Sequence, residues 1–564
     1  VKYYHFFARK STVFFAKKRT PPRDAVVCHS KNHNPLTNPL QNPISTPFLS
    51  HRILFPSMRW FLLILSLGFI LAARIWNSDQ VFVDGQIYFV DADCYSRMTR
   101  VAAVLDQPGT VLRHHDFENW PIGTTPHTTL PLDYLIACVA VILKPFVSQP
   151  TDLAGAVTPL FLALAAGFVL WWWAAPFRLT TQFFILLLFA WSPILVHGTL
   201  LGRPDHQSLL IFLLILAWTT GQRLHTSPSR ILALLNGLAW GLALWTSLFE
   251  PAILLAITIL GSMAAFGKKT LHRFFAGSAI TTGFVLLIAL AIEHWRISAL
   301  PRGPLFERWS LSIGELAAPG LFSSLYLQWN GLILLALPAF LFWQIFRHKN
   351  RLAIPSLLLL TATWLLTATA VRWGYFFALA VIFALPFLLE KWTNRWLLAA
   401  FFLGFWPMAS EWETRIFPSQ TERERLAEQR EDYRQLRQIA THLPRHDGFL
   451  APWWLSPPLA YWSGANGLAG SSHQSLPGIE ATAQFYLSRF PEKTRGLLQH
   501  RQISWVLAYE PSRVLSTSSS LLGISAANDA LAIILYEQPQ RAPSFLKLAH
   551  ETSFFKLYRV APTP

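Results

Sequence analysis

The sequence predicts an α-helical polytopic membrane protein that ends in an extracytoplasmic α/β domain. Two observations lead to that expectation. Of 564 residues, 52% are hydrophobic and only 14% charged, with a mean hydropathy of +0.34, more apolar than a soluble chain of this size sustains. The apolar residues fall in runs of membrane-spanning length as far as about residue 410, after which charged and mixed stretches take over.

The first 57 residues begin at Val1 and are rich in basic and turn-forming residues. They read as a disordered cytoplasmic tail or an over-extended start, with Met58-Arg59-Trp60 opening the first apolar run. A bilayer core takes roughly 20 apolar residues. On that measure spans are predicted near 59–76, 153–175, 180–198, 206–222, 231–249, 251–266, 272–292, 331–346, 353–371, 373–389 and 394–410.

Basic residues at Arg178, 222–230, Lys268-Lys269 to Arg273, 347–351 and 391–395 mark cytoplasmic loops. These loops share one side only if the short run 131–147, bounded by Pro131 and Pro145, lies at the outer surface as an interfacial or re-entrant helix. The stretch 77–152, the turn at Asp205, the loop 293–330, the turn at Arg372 and everything after about 411 then face outward. Past the last span, 421–437 reads as a charged helix, and β-like runs stand at 448–454, 503–509, 530–536 and 554–560. The predicted domains are therefore the tail 1–57, a transmembrane domain 58–410 and an extracytoplasmic α/β domain 411–564.

The formal net charge of +17 lies mostly in the tail and in short loops, with no basic stripe interleaved with aromatics, so a nucleic-acid partner is not expected. Three cysteines, Cys28, Cys94 and Cys138, are too few for a disulfide framework and read as isolated thiols.

Candidate chemistry gathers on the outer face. The first outer loop holds Asp84, Asp91, Asp93, Asp116 and Glu118 with His114, His115 and Trp120, and Asp93 falls within a turn of a helix predicted over 95–105. Each carboxylate alone also reads as a solvated loop residue. Asp205, in Gly202-Arg203-Pro204-Asp205-His206-Gln207, opens an apolar helix and suits an N-cap. Carboxylates at the edge of hydrocarbon cost free energy unless they meet water, a partner or a metal. Glu315 lies in Leu311-Ser312-Ile313-Gly314-Glu315, and Arg372 leads an apolar run, where it can snorkel, bind a lipid phosphate or pair with an acid. Trp453-Trp454 opens the last domain and serves equally as an apolar anchor.

In this order and on this side, the motifs resemble those of the catalytic subunit of oligosaccharyltransferase, a family of the GT-C glycosyltransferases. The resemblance covers roughly residues 59–490. It implies a GT-C fold of about 11 to 13 transmembrane helices with outer loops 77–152 and 293–330. It also implies Asp93 and Asp205 as ligands of Mn²⁺ or Mg²⁺, with Asp91 and Asp116 as rivals for the first position. Glu315 would act near metal and acceptor, Arg372 would meet the pyrophosphate of a polyprenyl-linked donor, and Trp453 and Trp454 would border the acceptor.

Two departures stand out. The family's second motif often supplies another Asp or His two positions after its first Asp, where this chain has Gln207, a weaker neutral ligand, so that His206 or a water would substitute. The family's two tryptophans continue as Asp-Tyr-Gly, whereas here Leu455-Ser456-Pro457 follows, which removes the carboxylate that recognises a sequon hydroxyl.

The implied function is metal-dependent, inverting transfer of a sugar or oligosaccharide from a polyprenyl-(pyro)phosphate carrier to a protein, lipid or glycan on the outer face of a bacterial inner membrane. A lipid or solute transporter or flippase is the alternative, as is a catalytically inactive relative; a transporter usually sets its charged sites inside its spans.

Overall fold

The computed structural model describes residues 56–294, 302–320, 323–332, 336–348, 350–389 and 403–561. Nearly all of the expected tail 1–57 and the larger part of the expected span 394–410 lie outside the described residues.

Helices dominate because long apolar runs in hydrocarbon must satisfy their own backbone hydrogen bonds. Among the described residues, five are long and apolar enough to cross a membrane: Pro150–Ala174, His206–Thr226, Phe249–Phe266, Phe275–Ile292 and Val371–Leu389. Shorter apolar helices cover Met58–Ala72, Leu130–Leu143, Leu179–Trp191, Arg230–Thr246 and Arg351–Thr367. The innermost, Gly374–Leu389, is buried along almost its whole length. Phe275–Ile292 instead turns Ile280, Phe284 and Leu287 outward, as a lipid-facing helix does.

One expected span is divided. The stretch 180–198 forms Leu179–Trp191 and then Pro193–His197, because Pro193 has no N–H to offer and holds Ser192 extended at ψ 115°. The helix expected over 95–105 runs Ala92–Asp106 and starts at an Asp91 cap. Just before it, β1 (Phe82–Val83) and β2 (Gln86–Ile87) pair antiparallel around Asp84-Gly85. Both turn residues have positive φ, which Asp and Gly tolerate, so Asp84 acts as a hairpin residue.

The C-terminal part builds a five-stranded sheet in the order β4-β3-β5-β7-β6. Its strands are β3 (Gly448–Leu450), β4 (Asn466–Gly467), β5 (Ile503–Ala508), β6 (Leu546–Glu551) and β7 (Lys556–Val560). Strand β3 pairs parallel with β4 and β5, and β7 pairs antiparallel with β5 and β6. The charged run forms the helix Gln420–Ala440. The β-like run 530–536 is instead the helix Leu531–Glu537, which buries Leu531, Ala532 and Leu535, a helical spacing that its continuous apolar character concealed. The strand beside β7 is β6, whose alternation is interrupted by a register shift between Leu548 and His550.

This sheet is seated on the segment 115–124 of the loop that follows the first apolar helix. Gly467 on the edge strand β4 donates to Phe117 O at 3.0 Å and accepts from Trp120 N at 3.1 Å, which covers an otherwise open edge. Trp462 sets its edge on Tyr95 at 5.0 Å, and Tyr461 donates to Asp152.

Candidate active site

Two backbone hydrogen bonds bring the distant motifs together. Val90 N donates to Gly202 O at 3.0 Å, so Asp91 and the helix behind it lie against the turn that holds Asp205. Gly202 sits at φ +74°, and a Cβ there would come within 2.7 Å of Val81, so the turn requires glycine. Val371 N donates to Ala317 O at 2.9 Å, which ties the Glu315 turn to the Arg372 turn.

Asp91 and Asp205 both cap helices. Asp91 Oδ1 accepts from Cys94 N at 3.0 Å, and Asp205 Oδ1 accepts from His206 N at 2.7 Å and from its Nδ1 at 2.6 Å. Burial opposes ionisation of Asp205, but His206, with Arg203 behind it, holds the carboxyl well below the usual range. Asp93 keeps accessible surface, yet burial first, then the charge of Asp91, pushes it up to about 7, against a hydrogen bond from Ser471 of the C-terminal part. Asp205 and Glu315 act on Asp93 as well, so the acids of the separate turns face one another across one recess.

Arg203 lies at the centre of this recess. Its Nη2 stands 2.6 Å from Glu315 Oε1, 3.7 Å from Asp91 Oδ2 and 3.9 Å from Asp205 Oδ2. Burial likewise disfavours the charge on Glu315, and Arg203 beside it lowers its pKa below the ordinary value. Tyr375 donates to the same Glu315 oxygen at 3.0 Å. Arg372, in the turn Val371–Trp373, places Nη2 2.5 Å from Glu250 Oε1, while its buried Nε has no hydrogen-bond partner among the described residues. Sequence reasoning therefore missed two charged members, Arg203 and Glu250. Arg203 stood inside the quoted motif, whereas Glu250 opens an apolar run and its partner lies in a distant loop.

Of the remaining expected residues, Asp116 is exposed and faces His114 at 3.4 Å, away from the acids. Glu118 is buried among His115, Thr124 and Ser472. Trp453 packs edge-on to Trp309 at 6.1 Å, and Trp454 lies under Arg513 at 4.9 Å. Leu455 and Ser456, where the family carries its Asp-Tyr, are buried, and Ser456 Oγ turns back to Ala451 O at 3.1 Å.

Among the described residues no three His, Cys, Asp or Glu side chains stand as a preformed metal site. The donor chemistry nevertheless suits a hard divalent cation: Asp93 and Asp205 bring carboxylates, and the buried Oε1 of Gln207 has no partner among the described residues. His206 commits Nδ1 to Asp205 and turns Nε2 toward Gln207 Nε2 at 3.3 Å.

No protein-family model matches the chain, and no curated protein matches it in sequence. Solved structures do match in fold. The oligosaccharyltransferase AglB of Archaeoglobus fulgidus, in complex with an inhibitory peptide and a dolichol-phosphate, aligns with TM-score 0.63 at 13% identity over 83% of this chain and 71% of that one. The same archaeal enzyme with Zn and sulfate aligns with TM-score 0.57 at 11% identity, over 89% and 73% of the two chains. Mycobacterial arabinofuranosyltransferase AftD gives TM-score 0.54 at 14% identity, over 90% of this chain and 42% of that one. ArnT of Cupriavidus metallidurans gives 0.50 at 11% identity, over 89% and 98%.

Proposed function

We propose, for a chain whose fold is that of the GT-C glycosyltransferases, that it transfers a sugar or oligosaccharide from a polyprenyl-(pyro)phosphate carrier to an acceptor at the outer membrane face. The observation behind this reading is the convergence of Asp91, Asp93, Asp205, Glu315, Arg203 and Arg372 in one recess beneath the C-terminal sheet. Dolichol-phosphate in the AglB complex supports a polyprenyl-linked donor here, and the Zn and sulfate complex of that enzyme supports a divalent metal.

In this scheme the anomeric C1–O bond to the carrier phosphate breaks as the acceptor attacks from the opposite side and gives up its proton to a carboxylate of the cluster, so that one displacement inverts the anomeric centre. Arg372, with its unpartnered Nε, receives the charge that develops on the leaving (pyro)phosphate. Asp93 and Asp205, with Gln207 Oε1 and His206 beside them, would hold Mn²⁺ or Mg²⁺, which supplies further neutralisation of that charge. Glu315, kept ionised by Arg203 and Tyr375, orients the acceptor.

A sequon asparagine is the disfavoured acceptor, since Leu455 and Ser456 are buried and offer no carboxylate. A protein side chain of another kind, a lipid or a glycan remains. On this reading the recess and the part after residue 411 lie outside the membrane, opposite the basic loops, and the single-chain layout suits a bacterial inner membrane whose lipid the protein contacts.

Purified protein supplied with polyprenyl-linked sugar and Mn²⁺ should consume donor in a metal-dependent way. Asp93→Ala and Asp205→Ala should each lower the rate by about 100-fold or more. No consumption of any donor, together with solute flux in proteoliposomes, would overturn the transferase reading.

A further inference from the structure

A fully buried cation has no part in the scheme above. Arg74 follows the helix Met58–Ala72 by two residues, has no exposed surface, and meets only neutral oxygens among the described residues. A charge without a counter-ion among apolar spans is costly and calls for a compensating role.

Two of its partners are carbonyls that a helix break sets free. The helix Leu179–Trp191 stops at the extended Ser192, and Pro193 has no N–H to return to Phe189 O. Arg74 takes over: Nη2 donates to Phe189 O at 3.2 Å and Nη1 to Ala190 O at 3.4 Å, with Ile70 O, one turn back, at 3.2 Å from Nη1. Trp191 O, next in line, accepts from the indole of Trp412 at 2.8 Å. Each carbonyl of the broken end therefore has a donor.

The Nε edge of the same guanidinium serves the turn that carries the charged residues of the recess. Nε donates to Thr199 Oγ1 at 2.7 Å, and that hydroxyl gives its own hydrogen to Leu195 O at 2.7 Å, which leaves a lone pair for Arg74. The Arg74 carbonyl accepts from Leu201 N at 3.0 Å. Residues on both sides of Leu200 are thus tied to one arginine, and Arg203 N bonds Leu200 O at 3.2 Å just before Asp205. A planar guanidinium binds along two edges at once, whereas an ammonium does not.

We propose that Arg74 is a positioning residue for the recess: it fastens the turn 199–203, and with it Arg203 and Asp205, to the carbonyls that Pro193 leaves open. Its effect on turnover rests on the transferase reading; the fastening itself does not.

Amide exchange of the full chain in detergent micelles, read by mass spectrometry, tests the fastening without turnover. Thr199→Val keeps the shape of the side chain and leaves Arg74 in place but removes its acceptor, and Arg74→Met removes all the donors. Both should speed exchange over 199–206 by about tenfold and leave 503–508 in the sheet unchanged. Arg74→Lys should behave as Arg74→Met does, because charge alone does not grip two edges. With an undecaprenyl-pyrophosphate-linked N-acetylglucosamine donor, the half-saturating Mn²⁺ concentration should rise about tenfold in Thr199→Val and Arg74→Met, a shift that loss of folded protein does not produce. Unchanged exchange over 199–206 in Thr199→Val and Arg74→Met, or full recovery in Arg74→Lys, would overturn the proposal. Faster exchange with an unchanged Mn²⁺ requirement would also overturn it, by reducing Arg74 to a part of the framework. Faster exchange in a protein that consumes no donor even before substitution would remove the transferase reading and leave Arg74 as the fastening of the turn.

Discussion

Arg372 and Glu250 show how a guanidinium can be anchored beside an apolar run without losing its charge. The 2.5 Å pair leaves Nε unpartnered, so the guanidinium is anchored at one edge and open at another. Arg372→Lys keeps the charge but loses the planar fork, and should lower kcat/KM for a polyprenyl-pyrophosphate donor by about tenfold or more in a donor titration. The sequence pointed to Asp93, Asp205, Glu315 and Arg372 through an order of short motifs that resembles oligosaccharyltransferase, and the fold does bring the four together. It gave no sign of the cation among the acids. A positive charge beside hydrocarbon reads as a snorkelling residue until the chain's return path is known, and the pairing of Arg203 with Glu315 depends on that path.

At the scale of elements, the segment 115–124 is a strap between the helix Ala92–Asp106 and the C-terminal sheet. Glu118 is its fastening: it accepts from His115 Nδ1 and Thr124 Oγ1, each at 2.7 Å, and from Ser472 Oγ at 3.1 Å. Gly470 must lack a side chain, since a Cβ there would fall 2.0 Å from Glu118 Oε2. Glu118→Ala leaves these buried donors unsatisfied and should cost about 1–3 kcal/mol, visible as a lower Tm and faster amide exchange over 467–473. Burial first, then Arg100, lowers the His115 pKa below its ordinary 6.5, against Glu118 on its other side. The folded state thus disfavours the proton that the unfolded chain accepts, and stability is lost as pH falls below about 6.5. Thermal melts between pH 7 and pH 5 should show that loss, and His115→Gln should flatten it.

Beside this strap lies a buried triad in which Arg97 and Arg100 bind the two oxygens of Asp133 at 2.7 and 2.6 Å, and Arg100 Nη1 meets His115 Nε2 at 2.7 Å. Asp133→Ala strands two buried cations and should destabilise the protein by about 3–5 kcal/mol in denaturant titration. None of this was legible beforehand, because Asp133 sits in an apolar helix and its partners in the helix predicted over 95–105 stand more than 30 residues away. Elements with a clean period were foreseen closely, such as the helix over the charged run. The continuous apolar run at 531–537 was not, since length and period do not separate a short buried helix from a strand.

For the whole molecule, topology is the property that makes the recess one site. Impermeant thiol labelling of intact cells should modify cysteines placed at 204 and 434 and spare one placed at 228, if the outer turn, the charged helix and the basic loop lie as the loop charges require. Cys138 is exposed and Cys94 buried, and each is a free thiol, so Cys138→Ser gives the background for that measurement.

The two main-chain hydrogen bonds, Val90 to Gly202 and Val371 to Ala317, have a further bearing. They join backbone to backbone, so the meeting of the acid-bearing segments does not depend on which side chains those segments display. The wall opposite the acids comes from another stretch, 453–474, fastened through Glu118. Such a molecule can exchange one wall while the other keeps its position. In this chain the acid end is assembled although Leu455-Ser456-Pro457 stands where the resembled family carries Asp-Tyr-Gly.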